Sequence, residues 1–337
     1  MKIVVDAFGG DNAPLEIIEG VCLALNKHKD LEVILCGDES KINTILNGRN
    51  ERIEIVDAKD VIANTEHPTE AIRNKKDSSL VRAYDVLKER DDVVGLVSAG
   101  STGAVLVGAI MKIGRIKGIS RPALAPILPT KKDSDVLIID SGANVDCKPI
   151  NLLHFALMGS AYYSIIFNKE NPRVALLNNG VEEGKGNELA KETFPLLQNA
   201  PINFIGNREG GNFMSGDIDV MVSDGFGGNA LLKGTEGAVS AVLSIMKKSI
   251  KNRFWSKIGA VFMKGTFGDI KGRIDILSRH GGSPLLGCKK LVVKNHGSCK
   301  RNNILASLEQ TMKLHENNLV GKIEQTLAKL NTEVEGE

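Results

Sequence analysis

Short apolar runs, each closed by Gly, Asp, Asn or Ser or running into a polar loop, recur along the whole chain and constrain its fold more than any other feature. They span residues 3–5, 32–36, 53–56, 93–98, 136–139, 174–177, 203–205, 219–222 and 291–293. Most are continuously apolar rather than alternating, as expected of strands covered on both faces. Segments with helical spacing separate them, at residues 15–26, 102–113, 151–167 and 231–248. The first of these carries Ile17, Ile18, Val21, Ala24 and Leu25 on one side. A long amphipathic helix is expected from Asn303, ahead of an acidic tail over residues 332–337. This alternation predicts an α/β protein of three layers, αβα, with a mainly parallel sheet. A chain of 337 residues suits one large α/β unit or about two domain-sized units.

Charge and cysteine usage narrow the function classes. The formal net charge is +2, which argues against a general nucleic-acid binder. The cysteines are Cys22, Cys36, Cys147, Cys288 and Cys299, an odd number with no C-x-x-C spacing. That pattern argues against a zinc site or a disulfide framework and fits a reducing cytosol. The N-terminal apolar run ends at Asp6, too short for a signal peptide. The longest uncharged stretch, residues 149–168, contains Asn151, His154 and Ser160 and reads as too polar to span a bilayer.

In open α/β sheets, ligands gather at the carboxyl ends of the strands. Five polar, Gly-rich loops follow the expected strands directly. Ser98, Gly100, Ser101, Thr102 and Gly103 combine tight-turning glycines with hydroxyls at a helix start, an anion nest or an ordinary capped turn. Asp140 and Asn144 either orient a polar ligand or bond their own backbone. Asn179 and Lys185 lie in a third loop, where Lys185 stands between Gly184 and Gly186 and can neutralise a phosphate or polarise a carbonyl. Asp224, Gly225, Gly227, Gly228 and Asn229 form a second candidate nest. The first strand ends in Asp6, Gly9, Gly10 and Asn12. Of the histidines only His296, beside Gly297 near a strand end, is placed for a site. Each loop alone reads equally as a turn with a polar cap. Together they predict a cleft for a phosphate-bearing substrate. No clustered metal ligands, P-loop or G-x-S-x-G elbow appears, so direct attack by a bound substrate is expected rather than covalent catalysis.

These motifs, in this order, resemble the PlsX family of acyl-ACP:phosphate acyltransferases, from Met1 to about Lys329. Phe8, Ser101 and His154 depart from the family's usual Met, Asn and Gln. The resemblance implies the isocitrate/isopropylmalate-dehydrogenase-like variant of the fold, as one unit of two lobes with a protruding basic segment at about 247–273. It also implies attack of inorganic phosphate on an acyl-ACP thioester, giving acyl phosphate and free acyl carrier protein, with no cofactor and no metal. On that reading Lys185 and Asn229 are the catalytic donors to a developing oxyanion. The other loop residues named above bind phosphate and substrate. A homodimer is implied, cytoplasmic and peripherally attached to the inner face of the membrane. A phosphotransacetylase acting on acetyl-CoA, an NAD-dependent decarboxylating dehydrogenase and a membrane-bound scaffold are the rival readings.

Two surfaces complete the reading. Lys112, Arg115, Lys117 and Arg121 form an acid-free stretch suited to an acidic carrier protein, or an ordinary solvated loop. Residues 247–273 hold eight Lys/Arg and one acid, Asp269, a local +7 that leaves −5 for the rest of the chain. The same segment carries Phe254, Trp255, Ile258 and Phe262. On one continuous helix Phe254, Ile258 and Phe262 would share an arc with Ile250 and Val261, which reads as an interfacial membrane helix or as a face packed on protein.

Overall fold

A computed structural model of the chain describes residues 1–274 and 279–334. Its strands are β1 (Lys2–Asp6), β2 (Glu32–Gly37), β3 (Ile53–Asp57), β4 (Val93–Ser98), β5 (Ala123–Leu124), β6 (Ile127–Pro129), β7 (Asp135–Ile139), β8 (Arg173–Asn178), β9 (Asn203–Glu209), β10 (Val220–Val222), β11 (Ser283–Leu286) and β12 (Leu291–Lys294). They form two sheets. One has seven strands in the order β3-β2-β1-β4-β12-β11-β5, the other five in the order β6-β7-β10-β8-β9. Seven of the ten pairings are parallel, while β11–β12, β11–β5 and β6–β7 are antiparallel. The three-layer, mainly parallel α/β architecture expected from the sequence is therefore present.

Continuous apolar strands feed two cores at once. Ile3 and Val5 pack toward the Leu15–Lys27 and Arg301–Glu316 helices. Val4, between them, faces the opposite layer, where the Ser79–Glu89 helix lies. In the second sheet Leu137 and Ile139 face the Pro149–Phe167 helix, whereas Val136 and Ile138 face Leu231 and Leu232 of the Gly225–Lys251 helix. This strict two-sided burial is why the strands lack polar alternation.

The Pro149–Phe167 helix corrects one expectation. Its mean hydropathy reaches 1.4, and by length and composition it is the one described helix apolar enough to cross a bilayer. Burial, rather than polarity, marks it as a core element: 67% of that stretch lies inside the protein. His154 is buried there, its Nδ1 meeting the Ser120 backbone N–H at 3.2 Å and hydroxyl at 3.0 Å.

The basic segment also differs from expectation. Instead of one helix, the Gly225–Lys251 helix ends at Asn252 and a second helix, Phe254–Phe262, follows an extended Arg253. A third runs over Lys264–Ile274. The break removes Ile250 from the arc that contains Phe254 and Phe262. The aromatic residues are nevertheless highly exposed: Trp255 at 79% and Phe262 at 85%.

Candidate active site

Strand order reverses between β1 and β4, and the crevice at such a switch point is where open α/β sheets bind ligands. Asp6 ends β1 and is almost fully buried. Burial pushes its carboxyl pKa up, partly offset by hydrogen bonds from Ser79 and Ser98. Ser98 ends β4; its Oγ donates to Asp6 Oδ2 at 2.7 Å and accepts from the Gly100 N–H at 3.0 Å. The two loops touch so closely that a Cβ on Gly9 would stand 2.4 Å from Asp6 Oδ2 and 2.6 Å from the Gly100 nitrogen. Gly10, at φ +102°, turns the chain onto the loop after β12, where the Asp11 N–H donates to the Gly297 carbonyl at 2.7 Å. Asn12 donates from Nδ2 to the carbonyls of Ser298 and Cys299.

The second sheet builds its own corner. Asp140 follows β7 and is fully buried, with a carboxylate engaged inside its own neighbourhood. It accepts from the backbone of Leu124, Ala143 and Asn144 and from Asn144 Nδ2, at 2.6–3.1 Å. Leu124 belongs to the seven-stranded sheet, so this carboxylate ties the two sheets together at the crossover between β5 and β6. Asn144 adds a bond to the Pro122 carbonyl at 2.8 Å. The Gly225–Lys251 helix starts against this loop: the Gly225 N–H donates to the Asn144 carbonyl, and Asp224 caps the helix through the Gly227 N–H at 2.6 Å. A Cβ on Gly228 would come within 1.9 Å of the Asp140 carbonyl oxygen.

Besides this corner of Asp140, Asn144, Gly225 and Gly228, most of the predicted residues fall into three further groups. Asp6, Gly9, Gly10, Ser98 and Gly100 form the switch-point cluster. Asn179, Asp224 and Gly227 line a cavity of about 330 Å³ beside Ser223. Thr102 and His296 line a larger cavity of about 510 Å³ where the two sheets meet. Ser101 heads the helix after β4 without a side-chain capping bond of its own. Lys185 and Asn229 are exposed and line neither cavity. Asn229 sits over Gly142, its side chain about 3.6 Å from where a Cβ there would lie. Among the described residues no three His, Cys, Asp or Glu side chains gather as a metal would require.

The larger cavity was not legible in the sequence. Its walls are mainly apolar, with Ile127 and Leu128 of β6 on one side and Val239 and Leu243 of the long helix on another. Its polar groups come from Thr102, Ser141, Ser283, Lys294, Asn295 and His296 at the strand ends and from Lys233, Thr235, Glu236 and Ser240 of the long helix. Lys294 ends β12, in register with Ser98 of β4, and is buried. Burial lowers its pKa to about 8. Sequence reasoning passed over it because a lysine at a strand end ordinarily reaches solvent.

Of the four cations in the acid-free stretch, Lys112 is paired with Asp85 at 2.8 Å. Arg115, Lys117 and Arg121 are exposed, with Arg115 donating to the Ser120 carbonyl.

A family model described as "Fatty acid synthesis protein" matches residues 1–322. A phosphate acyltransferase from Clostridium tetani is 44% identical over 98% of this chain and 99% of its own length. One from Bacillus pumilus is 45% identical with the same coverage. Among solved structures, a phosphotransacetylase from Streptococcus pyogenes superposes with a TM-score of 0.57 at 17% identity, over 94% of each chain. A branched-chain phosphotransacylase from Enterococcus faecalis superposes equally well, with a TM-score of 0.57 at 15% identity over 92% of this chain and 98% of its own. At such identities the structural likeness speaks for the fold alone.

Proposed function

The chain belongs to the PlsX family of phosphate acyltransferases, and from that premise we propose that its acyl donor is an acyl-ACP thioester. Acyl transfer to phosphate, in fatty acid and phospholipid synthesis, is the activity of the family. In the proposed reaction an oxygen of hydrogen phosphate attacks the thioester carbonyl carbon. The carbon–sulfur bond breaks, the phosphate proton passes to sulfur, and acyl phosphate and the free carrier thiol leave.

The observation that carries the donor assignment is the cavity of about 510 Å³ between the sheets. Apolar walls with a few convergent polar groups suit a fatty chain whose reacting end is polar. An acetyl donor would leave most of that volume unfilled. In this reading the switch-point loops and the Gly225–Gly228 turn bind phosphate and substrate, while Lys185 and Asn229, which line neither cavity, serve as oxyanion donors only where the thioester projects out of the cavity toward them. Arg115, Lys117 and Arg121 dock the acidic carrier, with Lys112 contributing less because Asp85 already neutralises it.

The decisive experiment mixes the protein with acyl-ACP, with and without phosphate, and follows free carrier thiol. Thiol release that requires phosphate supports the reading. Release from acetyl-CoA but not from acyl-ACP would replace it, and unchanged turnover in Lys185→Ala would remove that lysine from the mechanism.

A second reading, that the enzyme is a cytoplasmic homodimer resting on the membrane, rests on the family resemblance and on one observation. Phe254, Trp255, Val261 and Phe262 are each at least 70% exposed on a segment rich in lysine and arginine. Exposed aromatics with a cationic flank suit an anionic lipid surface.

A further inference from the structure

Lys294 is a buried cation without a counter-charge. Its side chain is 8% exposed, at the end of β12 between Ser98 of β4 and Ser283 of β11. Its ammonium donates to the carbonyl of Asn295. Among the described residues no carboxylate lies within ion-pair distance of it. Asp6 and Asp11 act on it only through space, and Lys233, facing it from the long helix, opposes its charge.

An ammonium taken out of water is costly unless an anion meets it. Buried Asp219 is matched by Arg173 and Lys169, and buried Asp140 by four hydrogen-bond donors, whereas the Lys294 ammonium meets one backbone carbonyl; a cation so thinly partnered at a strand carboxyl end points to an anion supplied from outside. Lys294 lines the cavity between the sheets together with Thr102 and Ser141, and with Lys233 and Glu236 of the long helix, whose charges pair with each other at 2.7 Å. That places the charge beside the apolar volume assigned above to the acyl chain.

We propose that Lys294 binds the phosphate co-substrate, holding its anionic oxygens at the polar end of the acyl cavity so that the remaining oxygen faces the thioester carbonyl. The proposal rests on the acyltransfer reading for the position of the thioester, but not for the binding of phosphate. Lysine acts here as a point charge, as suits a tetrahedral anion that must turn and react. Bound phosphate would favour the charged amine against the burial that lowers its pKa.

The test compares wild type with Lys294→Met and Lys294→Gln. Removing an unmatched buried charge is expected to leave the melting temperature equal or higher. Phosphate alone, without acyl donor, is expected to raise the melting temperature of the wild type and to leave both variants unmoved. In turnover, KM for phosphate should rise about tenfold or more, with KM for acyl-ACP within a factor of about two. A retained phosphate shift, or a fall in kcat with an unchanged phosphate KM, would overturn the proposal. So would variants that fail to fold, since the ammonium would then be a structural group. If acyl-ACP proves not to be the donor, the phosphate shift still decides the role of Lys294.

Discussion

Ser98 Oγ donates a 2.7 Å hydrogen bond to Oδ2 of Asp6, joining the carboxyl ends of β1 and β4 at the point where strand order reverses. The same hydroxyl accepts from Gly100, so one side chain holds a carboxylate and a loop in a fixed relation. Ser98→Ala removes both bonds and leaves Asp6 with one donor fewer in a site where burial already disfavours its charge. A loss of about 1–3 kcal/mol in unfolding free energy is expected, measured by urea titration. A variant as stable as wild type would show that Ser79 and the backbone suffice.

The start of the Gly225–Lys251 helix offers a sharper case. Gly228→Ala would place a Cβ 1.9 Å from the carbonyl oxygen of Asp140, where backbone meets backbone and neither can rotate away. Overpacking of this kind costs about 1–3 kcal/mol or more, so a clear fall in melting temperature is expected. Gly234→Ala on the same helix meets nothing within 4 Å and is the control. Helix propensity makes it neutral or stabilising by up to about 1 kcal/mol.

What the sequence showed and what it hid follow from range. Most parallel strands were legible because their cores are continuously apolar and end in residues that turn the chain; β3 and β9, with Glu54 and Asn207 inside them, are the exceptions. The antiparallel strands β5, β6 and β11 were not: they are two to four residues long, and Pro126, Pro129 and Pro284 mark that stretch as loop. The loops of the site were legible one by one, yet their joining was not, since Ser98 and Asp6 stand 92 residues apart. Lys112 read as free because its partner Asp85 lies on another helix. Lys294 was missed for the same reason in reverse, because only the packing of β12 between β4 and β11 shows that it is buried.

Asp219 predicts how stability responds to acid. Burial works to raise its pKa, but hydrogen bonds from Arg173 and Lys169 outweigh that and hold it at about 2, below the usual 3.8. A carboxylate depressed on folding stabilises the native state above its unfolded pKa, and that stability is lost as pH falls from about 4 through about 2. The contribution at neutral pH is about 2 kcal/mol. Asp219→Asn should therefore be less stable than wild type at pH 7, with the difference shrinking toward pH 2. A difference constant with pH would assign the effect to packing instead.

Val239 and Leu243 stand one helical turn apart and line the apolar part of the cavity between the sheets. If the acyl chain lies there, Leu243→Trp fills part of its volume. The ratio of kcat/KM for a sixteen-carbon over a ten-carbon acyl-ACP should then fall, by about tenfold if the chain loses two or more methylene contacts. Equal losses for both donors would place the chain elsewhere.

The exposed helix Phe254–Phe262 separates lipid from protein as its partner. Phe254 and Trp255 stack edge to face with centroids 5.6 Å apart, and both are at least 70% exposed. Lys257 and Lys264 add charge close by. Aromatic insertion and electrostatic attraction respond differently to conditions, since only the second is screened by salt. Trp255→Glu should reduce co-sedimentation with anionic vesicles at every ionic strength, whereas Lys257→Gln with Lys264→Gln should reduce it mainly at low salt. Neither change touches the cavity or the switch-point loops, so turnover with soluble substrates should stay at the wild-type rate. Binding that survives Trp255→Glu, together with a shift toward monomer in sedimentation velocity, would show instead that this face meets a second copy of the chain.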